Sequence, residues 1–463
     1  MNEIKLDKYQ QKAVITNKNT LLVAGAGAGK TTTILGKINY LLENGYKEDE
    51  ILCISFTNAS TTDLKKKLNN NIDVFTFHKL AIQILNSASI EYTLCDDNLL
   101  ILIIDLYIEQ VFSSKKKKKK FLKYVPNPNN FKKLASRFIH LFKANQFDEY
   151  KFKDMFLKIK KIKKKRTRLV HFMNLINIIN IYKLYKTTLK ENNEFDFDDL
   201  IIEATKVVQT TTFTDSYKYI IIDEFQDTSQ VRLNLILEIY HKNNCKVFCV
   251  GDDFQSIYQF TGCDLNLFLN FKTFFKDSTI KKLKMTYRNP QQLIHVAGNF
   301  IMKNKKQIKK VLLSSKSIAK PIKIVYLKKN NLFSLLNKIN TEYMILGRNN
   351  KDIYDYFTQE QLQKHNIIYS TIHRSKGLEA ENIILIHLTN DFDSIPSKIQ
   401  NDYLIDLLLH HNKDIYYEER RLFYVALTRT KNNVYLVTQK NQESEFVLEL
   451  IKEYKKYIEI LYI

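Results

Sequence analysis

The sequence predicts an α/β chain with two parallel-sheet domains, the first of them interrupted by a basic helical insertion. Three observations predict it. Unbroken apolar runs end in Gly-, Asp- or Asp-Glu-containing turns, as strands buried on both faces of a parallel sheet do. The chain has ten glycines in 463 residues, yet three fall within residues 25–29, directly after one such run and before a helical stretch. Between about 80 and 195 the strand pattern stops, and helical spacing with dense lysine replaces it.

In chain order, Leu6, Gln10, Ala13 and Val14 recur at helical spacing, so 3–19 reads as a short helix. A strand at 20–24 leads into Ala24-Gly25-Ala26-Gly27-Ala28-Gly29, and Lys30-Thr31-Thr32 opens a helix ending near Asn44-Gly45. A glycine-dense turn between strand and helix lets backbone N–H groups converge on a polyphosphate where a Cβ would intrude. Lys30 is then placed to reach the β- and γ-phosphates and Thr31 to offer its hydroxyl to Mg²⁺. Ala24 occupies a position where the strict eight-residue pattern has Gly, and a Gly/Ala-rich turn without ligand is the alternative. Residues 51–56 supply the next buried strand. The resulting βαβ unit makes the sheet parallel and puts its ligand edge at the strands' C-terminal ends.

The helical stretch carries lysine-rich runs at 115–120 and 158–168, with Pro126 and Pro128 between them. Such runs suit either a solvated face or contact with a phosphate backbone. Strands resume at 219–222, which deliver Asp223 and Glu224 to the edge that holds the glycine-rich loop. Asp223 there suits the Mg²⁺ shell, and Glu224 suits polarising the water that attacks a γ-phosphate; the plainer alternative is an acidic helix N-terminus. After the strand at 246–250, Gly251-Asp252-Asp253-Phe254-Gln255 presents Gln255 as a γ-phosphate sensor. A second α/β region follows from about 280, with strands near 322–326, 342–346, 367–371, 382–387 and 433–437. The domain division expected is 1–80 plus 195–278 for the first sheet domain, 81–194 for the insertion and 279–463 for the second. No short internal repeat is visible, although the two α/β halves read as candidates for related folds.

Net charge is +23, which points to a polyanionic partner such as nucleic acid, or to a lysine bias in composition: lysines number 62 and arginines ten. Where lysine is so easily supplied, each arginine is expected to serve through its planar fork, and Arg288, Arg348, Arg374, Arg420, Arg421 and Arg429 all lie in the second half. The five cysteines fall mostly in apolar runs and read as core residues. No run approaches the roughly 18 apolar residues of a membrane span, and the charged stretch 1–8 lacks a signal-peptide core, so no membrane partner and a cytoplasm-like compartment are expected.

These segments, in order, resemble superfamily 1 DNA helicases of the UvrD/Rep type nearly end to end. Residues 6–14 resemble the family's Q motif, in which Gln10 would read adenine, and 24–32 are similar to motif I, including Ala in place of the first Gly. Phe56-Thr57-Asn58 and Thr76-Phe77-His78 resemble motifs Ia and Ib, which implies strand contacts at Thr57, Asn58, Thr76 and His78. Asp196-Phe197-Asp198-Asp199-Leu200 is similar to a further short motif, and 223–228 to motif II. Thr286-Tyr287-Arg288-Asn289 resembles motif IV, with Tyr287 on the base and Arg288 on the γ-phosphate. Residues 370–379 resemble motif V, placing Glu379 at the nucleotide and His373 and Lys376 near DNA. Residues 418–429 resemble motif VI, whose arginine finger falls on Arg429. One match is within chance; nine in order are not.

The resemblance implies two RecA-like P-loop domains, ATP and Mg²⁺ as cofactors, and 3′ to 5′ movement on single-stranded or tailed DNA. It also implies a monomer acting beside replication or repair proteins. Two arginines from the second domain would complete an ATP site built by the first. Departures are equally specific. Thr261 replaces a strand-contacting Arg, Phe260 stands where Trp is common, leaving stacking to Tyr258 and Phe260, and Ala59 replaces a frequent Lys. About 20 residues separate Leu346-Gly347-Arg348 from motif V, where larger members insert a regulatory domain, so the compact form resembles the helicase IV branch more than Rep. The chain also ends soon after motif VI, so no nuclease module is expected. The rival readings are a translocase that strips proteins from DNA without unwinding, a non-catalytic DNA-binding relic and, more distantly, a small-molecule P-loop kinase.

Overall fold

The computed structural model describes residues 4–68, 72–210, 213, 215–328, 331–409 and 416–463. Its strands, in chain order, are β1 (Asn19–Val23), β2 (Ile51–Ile54) and β3 (Asp73–Phe75), then the short β4 (Thr93–Leu94) and β5 (Glu194–Phe195). They continue with β6 (Tyr219–Ile222), β7 (Lys246–Gly251), β8 (Ser278–Lys282), β9 (Ile322–Tyr326), β10 (Tyr343–Gly347), β11 (Tyr369–Thr371), β12 (Ala380–Leu385), β13 (Thr430–Thr438) and β14 (Ile458–Tyr462).

Two six-stranded sheets result, ordered β3-β2-β6-β7-β1-β8 and β11-β10-β12-β13-β9-β14, with every pairing parallel. Counted from its own first strand, each sheet reads 3-2-4-5-1-6. The two halves therefore share one topology. Alternation explains the apolar runs: Leu21, Val23, Leu52, Ile54, Ile220 and Ile222 pack on one face of the first sheet, and Leu22, Ile51, Cys53, Tyr219 and Ile221 on the other. The second sheet is likewise covered on both faces. These are two RecA-like α/β domains.

Several expected elements shift. The first helix is only Lys8–Val14, started by a capping box between Asp7 and Gln10 and followed by a turn into β1. Strands β3, β8 and β14 have no counterpart among the expected strands. β8 pairs with β1, so the first sheet extends to Lys282, past the expected boundary at 278. The helix Phe77–Ser87 packs Phe77, Leu80, Ala81, Ile84 and Leu85 into the first sheet's core, across the expected boundary at 80.

The helical insertion is joined to that domain through the β4-β5 ribbon and has its own core, including Phe138, Phe142, Leu175 and Ile178. The helix Tyr403–Leu408 of the second half adds Leu404, Ile405 and Leu408 to this core. Close to the ribbon, Cys95 faces Tyr185; farther along, Tyr107 donates to Asn177 at 2.9 Å. The helices Leu99–Phe112 and Lys165–Glu191 therefore run antiparallel, and the basic runs at 115–120 and 158–168 lie together at the end remote from the ribbon. The connection from β10 to β11 is occupied by a turn at Asp352–Asp355 and the short helix Gln359–Lys364.

All five cysteines are free, four of them buried. Among the described residues, no helix is long and apolar enough to cross a membrane.

Candidate nucleotide and strand site

The loop after β1 adopts left-handed backbone at Gly27 (φ 68°) and Gly29 (φ 77°), which glycine permits without a Cβ clash. Its glycines also admit neighbours. A Cβ on Gly27 would lie 2.5 Å from the Cβ of Arg288, and one on Gly29 would lie 2.5 Å from Nε2 of Gln10. The second half of the chain is hydrogen-bonded onto this loop: Thr286 Oγ1 donates to Ala26 O (2.8 Å) and Tyr287 N to Gly27 O (2.9 Å).

At the end of β6, Glu224 is held at φ 50°, a strained setting for a residue with a side chain. Its carboxylate accepts from the Lys30 ammonium and, at 2.5 Å, from Gln226 Nε2. Burial would lower the pKa of Lys30, but Glu224, Asp223 and Asp252 outweigh it and hold the ammonium above its usual range. Burial raises Asp223, with the charge of Glu224 adding to it; Glu224, despite burial, is pulled down by Lys30 and Lys376. Thr31, at the loop's helix end, and Asp223 offer one hydroxyl and one carboxylate, a donor set suited to Mg²⁺, which keeps waters and phosphate oxygens in its shell.

β7 ends in Asp252 and Gln255. Gln255 Nε2 donates to Asp252 Oδ2 (2.6 Å), and Gln255 Oε1 accepts from Arg429 Nη2 (2.7 Å). Arg429 is 1% exposed, with Nε on Val425 O at 3.0 Å. Burial, then the neighbouring Arg288, lowers its pKa. Arg288 itself donates through Nε to Glu379 at 2.7 Å, so Glu379 and both arginines gather beside the glycine loop. Tyr287 is exposed, with its hydroxyl on Asp7. The other arginines find forks elsewhere: Arg348 on Glu419, Arg420 on Glu449 and Arg421 on Ser256 O, while Arg374 is exposed.

On the adjoining surface Phe56 stacks on Tyr258 with centroids 6.5 Å apart, and Phe260 meets Tyr258 and His373 edge-on at 6.1 and 5.3 Å. Tyr258 Oη donates to His373 O at 2.9 Å, which ties the two sheet domains together here. Thr57 and Asn58 are exposed beside this cluster. Phe56 and Phe77 both lie under Arg232, whose charge, after burial, lowers the pKa of nearby His78 to about 4. Phe260 and His373 also line a cavity of about 900 Å³, which Arg137 of the insertion and Arg348 of the second domain line as well.

Two expectations need correction. Lys376 is not on the strand surface: its ammonium is buried against Asp227 and donates to Gln255 O at 2.8 Å, because the acidic end of β6 competes for it. Thr76 is buried as the cap of the helix Phe77–Ser87, its Oγ1 accepting from Lys79 N. Gln10 lies against the glycine loop, where Oε1 accepts from Asp7 N at 2.9 Å and Nε2 faces the Ala28 and Gly29 carbonyls. Sequence reasoning also missed Lys310, buried between Asp252 and Asp253, and Thr286 on the loop. Lys310 sits in a lysine-rich run without distinguishing pattern; Thr286, within the quartet already noted, carried a signal.

Residues 6–276 match the UvrD/REP helicase N-terminal domain, and residues 332–441 the UvrD-like helicase C-terminal domain. The chain is 29% identical to DNA helicase IV of Escherichia coli (strain K12), over 96% of its own length and 70% of that protein. It is 27% identical to a probable DNA helicase of Mycoplasma pneumoniae, over 93% of its own length and 82% of the relative's. Identity to a probable DNA helicase II homolog of Rickettsia felis is 30%, over 69% of the chain, which spans about half (48%) of that relative. With the N-terminal domain match alone covering more than half of its residues, and with paired topologies and a shared loop-and-arginine site, the chain belongs to the UvrD/Rep helicase family.

Proposed function

We propose that the chain is an ATP-dependent DNA helicase whose motor hydrolyses ATP between its two sheet domains and moves along single-stranded DNA. The observation that carries this is Arg429: it stands on the second domain yet donates to Gln255 at the end of β7, beside Arg288 on the glycine loop. Lys30 would leave Glu224 for the β- and γ-phosphates. Freed of that charge, the carboxylate becomes a stronger base toward the attacking water. Thr31 and Asp223 would hold Mg²⁺, which when bound neutralises charge developing on the phosphates. Arg288 and Arg429 would stabilise the same charge from the second domain, so hydrolysis depends on the domains meeting. Thr57, Asn58, Tyr258, Phe260 and His373 would touch the strand.

Charge distribution supports a nucleic-acid substrate. Residues 81–194 hold 24 Lys and Arg against ten Asp and Glu, so the insertion carries most of the +23, and its basic runs gather at one end. This favours phosphate-backbone contact over an even lysine bias. The short β10-to-β11 connection and Thr261, whose hydroxyl donates to Tyr258 O, favour a second reading in which the motor translocates and displaces proteins without unwinding. The deciding experiment measures ATP hydrolysis with and without single-stranded DNA, then unwinding of a 3′-tailed duplex beside displacement of a protein block. ATP hydrolysis that ignores DNA would overturn the motor reading.

A further inference from the structure

We propose that Lys310 is a positioning residue for hydrolysis: it anchors the Asp252 carboxylate in place, and Asp252 fixes the Gln255 amide with its oxygen toward Arg429. The inference rests on reading the site as an ATPase. Lys310 lies beyond the helix Gln291–Ile301 of the second half, and its chain returns to the end of β7. Ile308 N donates to Asp253 Oδ2 at 2.8 Å, and Gln307 Nε2 to Asp253 O at 3.0 Å. The Lys310 side chain is 1% exposed, its ammonium paired with Asp252 and, at 2.5 Å, with Asp253, neither of whose side chains is exposed. The ring of Phe254 lies 3.6 Å away.

The consequence follows from donor and acceptor chemistry. An ionised carboxylate only accepts. Asp252 Oδ2 therefore takes the NH₂ of Gln255, and the amide oxygen is left for the Arg429 guanidinium, which only donates. The reversed amide would set donor against donor and oxygen against carboxylate. Without Lys310, two adjacent buried carboxylates would stand together without the cation that bonds both, and their repulsion would push Asp252 off the Gln255 amide. With Asp252 displaced the amide can turn, and Arg429 loses its acceptor. Asp252 is otherwise faced by Asp253, Lys30, Tyr424 and Arg429, and Asp253 by Arg421. Among the described residues, only Lys310 bonds both carboxylates.

The test is steady-state ATP hydrolysis by the full chain with single-stranded DNA at about pH 7. Wild type is the control: if it does not hydrolyse ATP, the ATPase reading fails and not this inference. Lys310→Met is expected to lose about 10- to 100-fold in kcat with KM for ATP little changed. Lys310→Arg should retain most of the rate. Asp252→Asn keeps the Lys310–Asp253 pair, and is expected to be slow because the orienting charge is gone. A wild-type kcat in Lys310→Met or in Asp252→Asn overturns the proposal, as does a Lys310→Met loss that falls on KM rather than kcat. Should Lys310→Met fail to fold, Asp252→Asn decides alone.

Discussion

Arg429 Nη2 donates to Gln255 Oε1 at 2.7 Å, joining the helix-to-β13 turn of the second domain to the end of β7 in the first. One hydrogen bond thus connects an arginine that lies more than 170 residues away in the chain to the glycine-loop sheet edge. The requirement for both domains to be assembled is built into that bond.

Arg429→Ala is expected to abolish DNA-stimulated ATP hydrolysis, by about 10³-fold or more, while single-stranded DNA binding persists. Lys30→Ala should do the same by removing the phosphate-reaching charge. Arg429→Lys should stay severely impaired, because an ammonium lacks the planar fork that serves Gln255 and phosphate together. Steady-state rates beside fluorescence anisotropy check all three; full activity in Arg429→Ala or Lys30→Ala would refute the site assignment.

Gly27→Ala forces a Cβ into left-handed backbone and onto Arg288. Nucleotide binding should weaken by about 5- to 150-fold, since strain at such positions costs on the order of 1–3 kcal/mol. Calorimetric titration with a non-hydrolysable ATP analogue measures it. Unaltered affinity would mean that the loop relaxes freely.

Phe260→Ala removes a 42% exposed ring from the Tyr258–His373 cluster. Affinity for single-stranded DNA should fall by about 1–3 kcal/mol, the usual worth of a base-stacking aromatic. Phe260→Trp should retain or strengthen binding. Equal affinities across the three proteins would take the ring off the strand path.

Burial lowers His373 to about 4, with Arg348 and Lys376 adding to the effect, and His78 likewise to about 4. Both values lie below the roughly 6.5 of an unfolded histidine. The folded state thus resists protonation, so this stability is present above about pH 6.5 and is lost as pH falls through about 4. NMR titration of the imidazoles should show both neutral at pH 6. A midpoint near 6.5 for either would contradict its burial.

Replacing lysines 115–120 by glutamine should lower the salt slope of DNA binding by about 0.7–0.9 for each DNA phosphate that these lysines neutralise. All six are exposed, and among the described residues none forms an ion pair with a carboxylate. An unchanged slope would return this run to plain solvated surface.

Much of the core was legible because it is written locally. Apolar runs at 219–222 and 246–250, ending in Asp223-Glu224 and Gly251-Asp252, mark buried parallel strands by composition alone. The edge strands were not legible: β8 reads Ser-Thr-Ile-Lys-Lys and is nowhere fully buried, so no apolar run announces it. On the opposite edge, β3 is three residues long with Val74 alone buried, too short to make an apolar run. The resemblance singled out Arg288 and Arg429 among the arginines, but that Arg348 and Arg420 would be taken up in carboxylate pairs was not visible.

By itself the sequence determined the two-sheet class, the glycine loop, the acidic strand ends and the family, since each depends on residues adjacent in the chain. Tertiary structure alone decided which lysine serves which carboxylate. Lys376 and Lys310 resemble dozens of exposed lysines in sequence, yet folding buries one against Asp227 and the other between Asp252 and Asp253. The physical reason is desolvation: a carboxylate taken out of water must find a cation wherever the fold brings one, and chain order carries no record of that meeting.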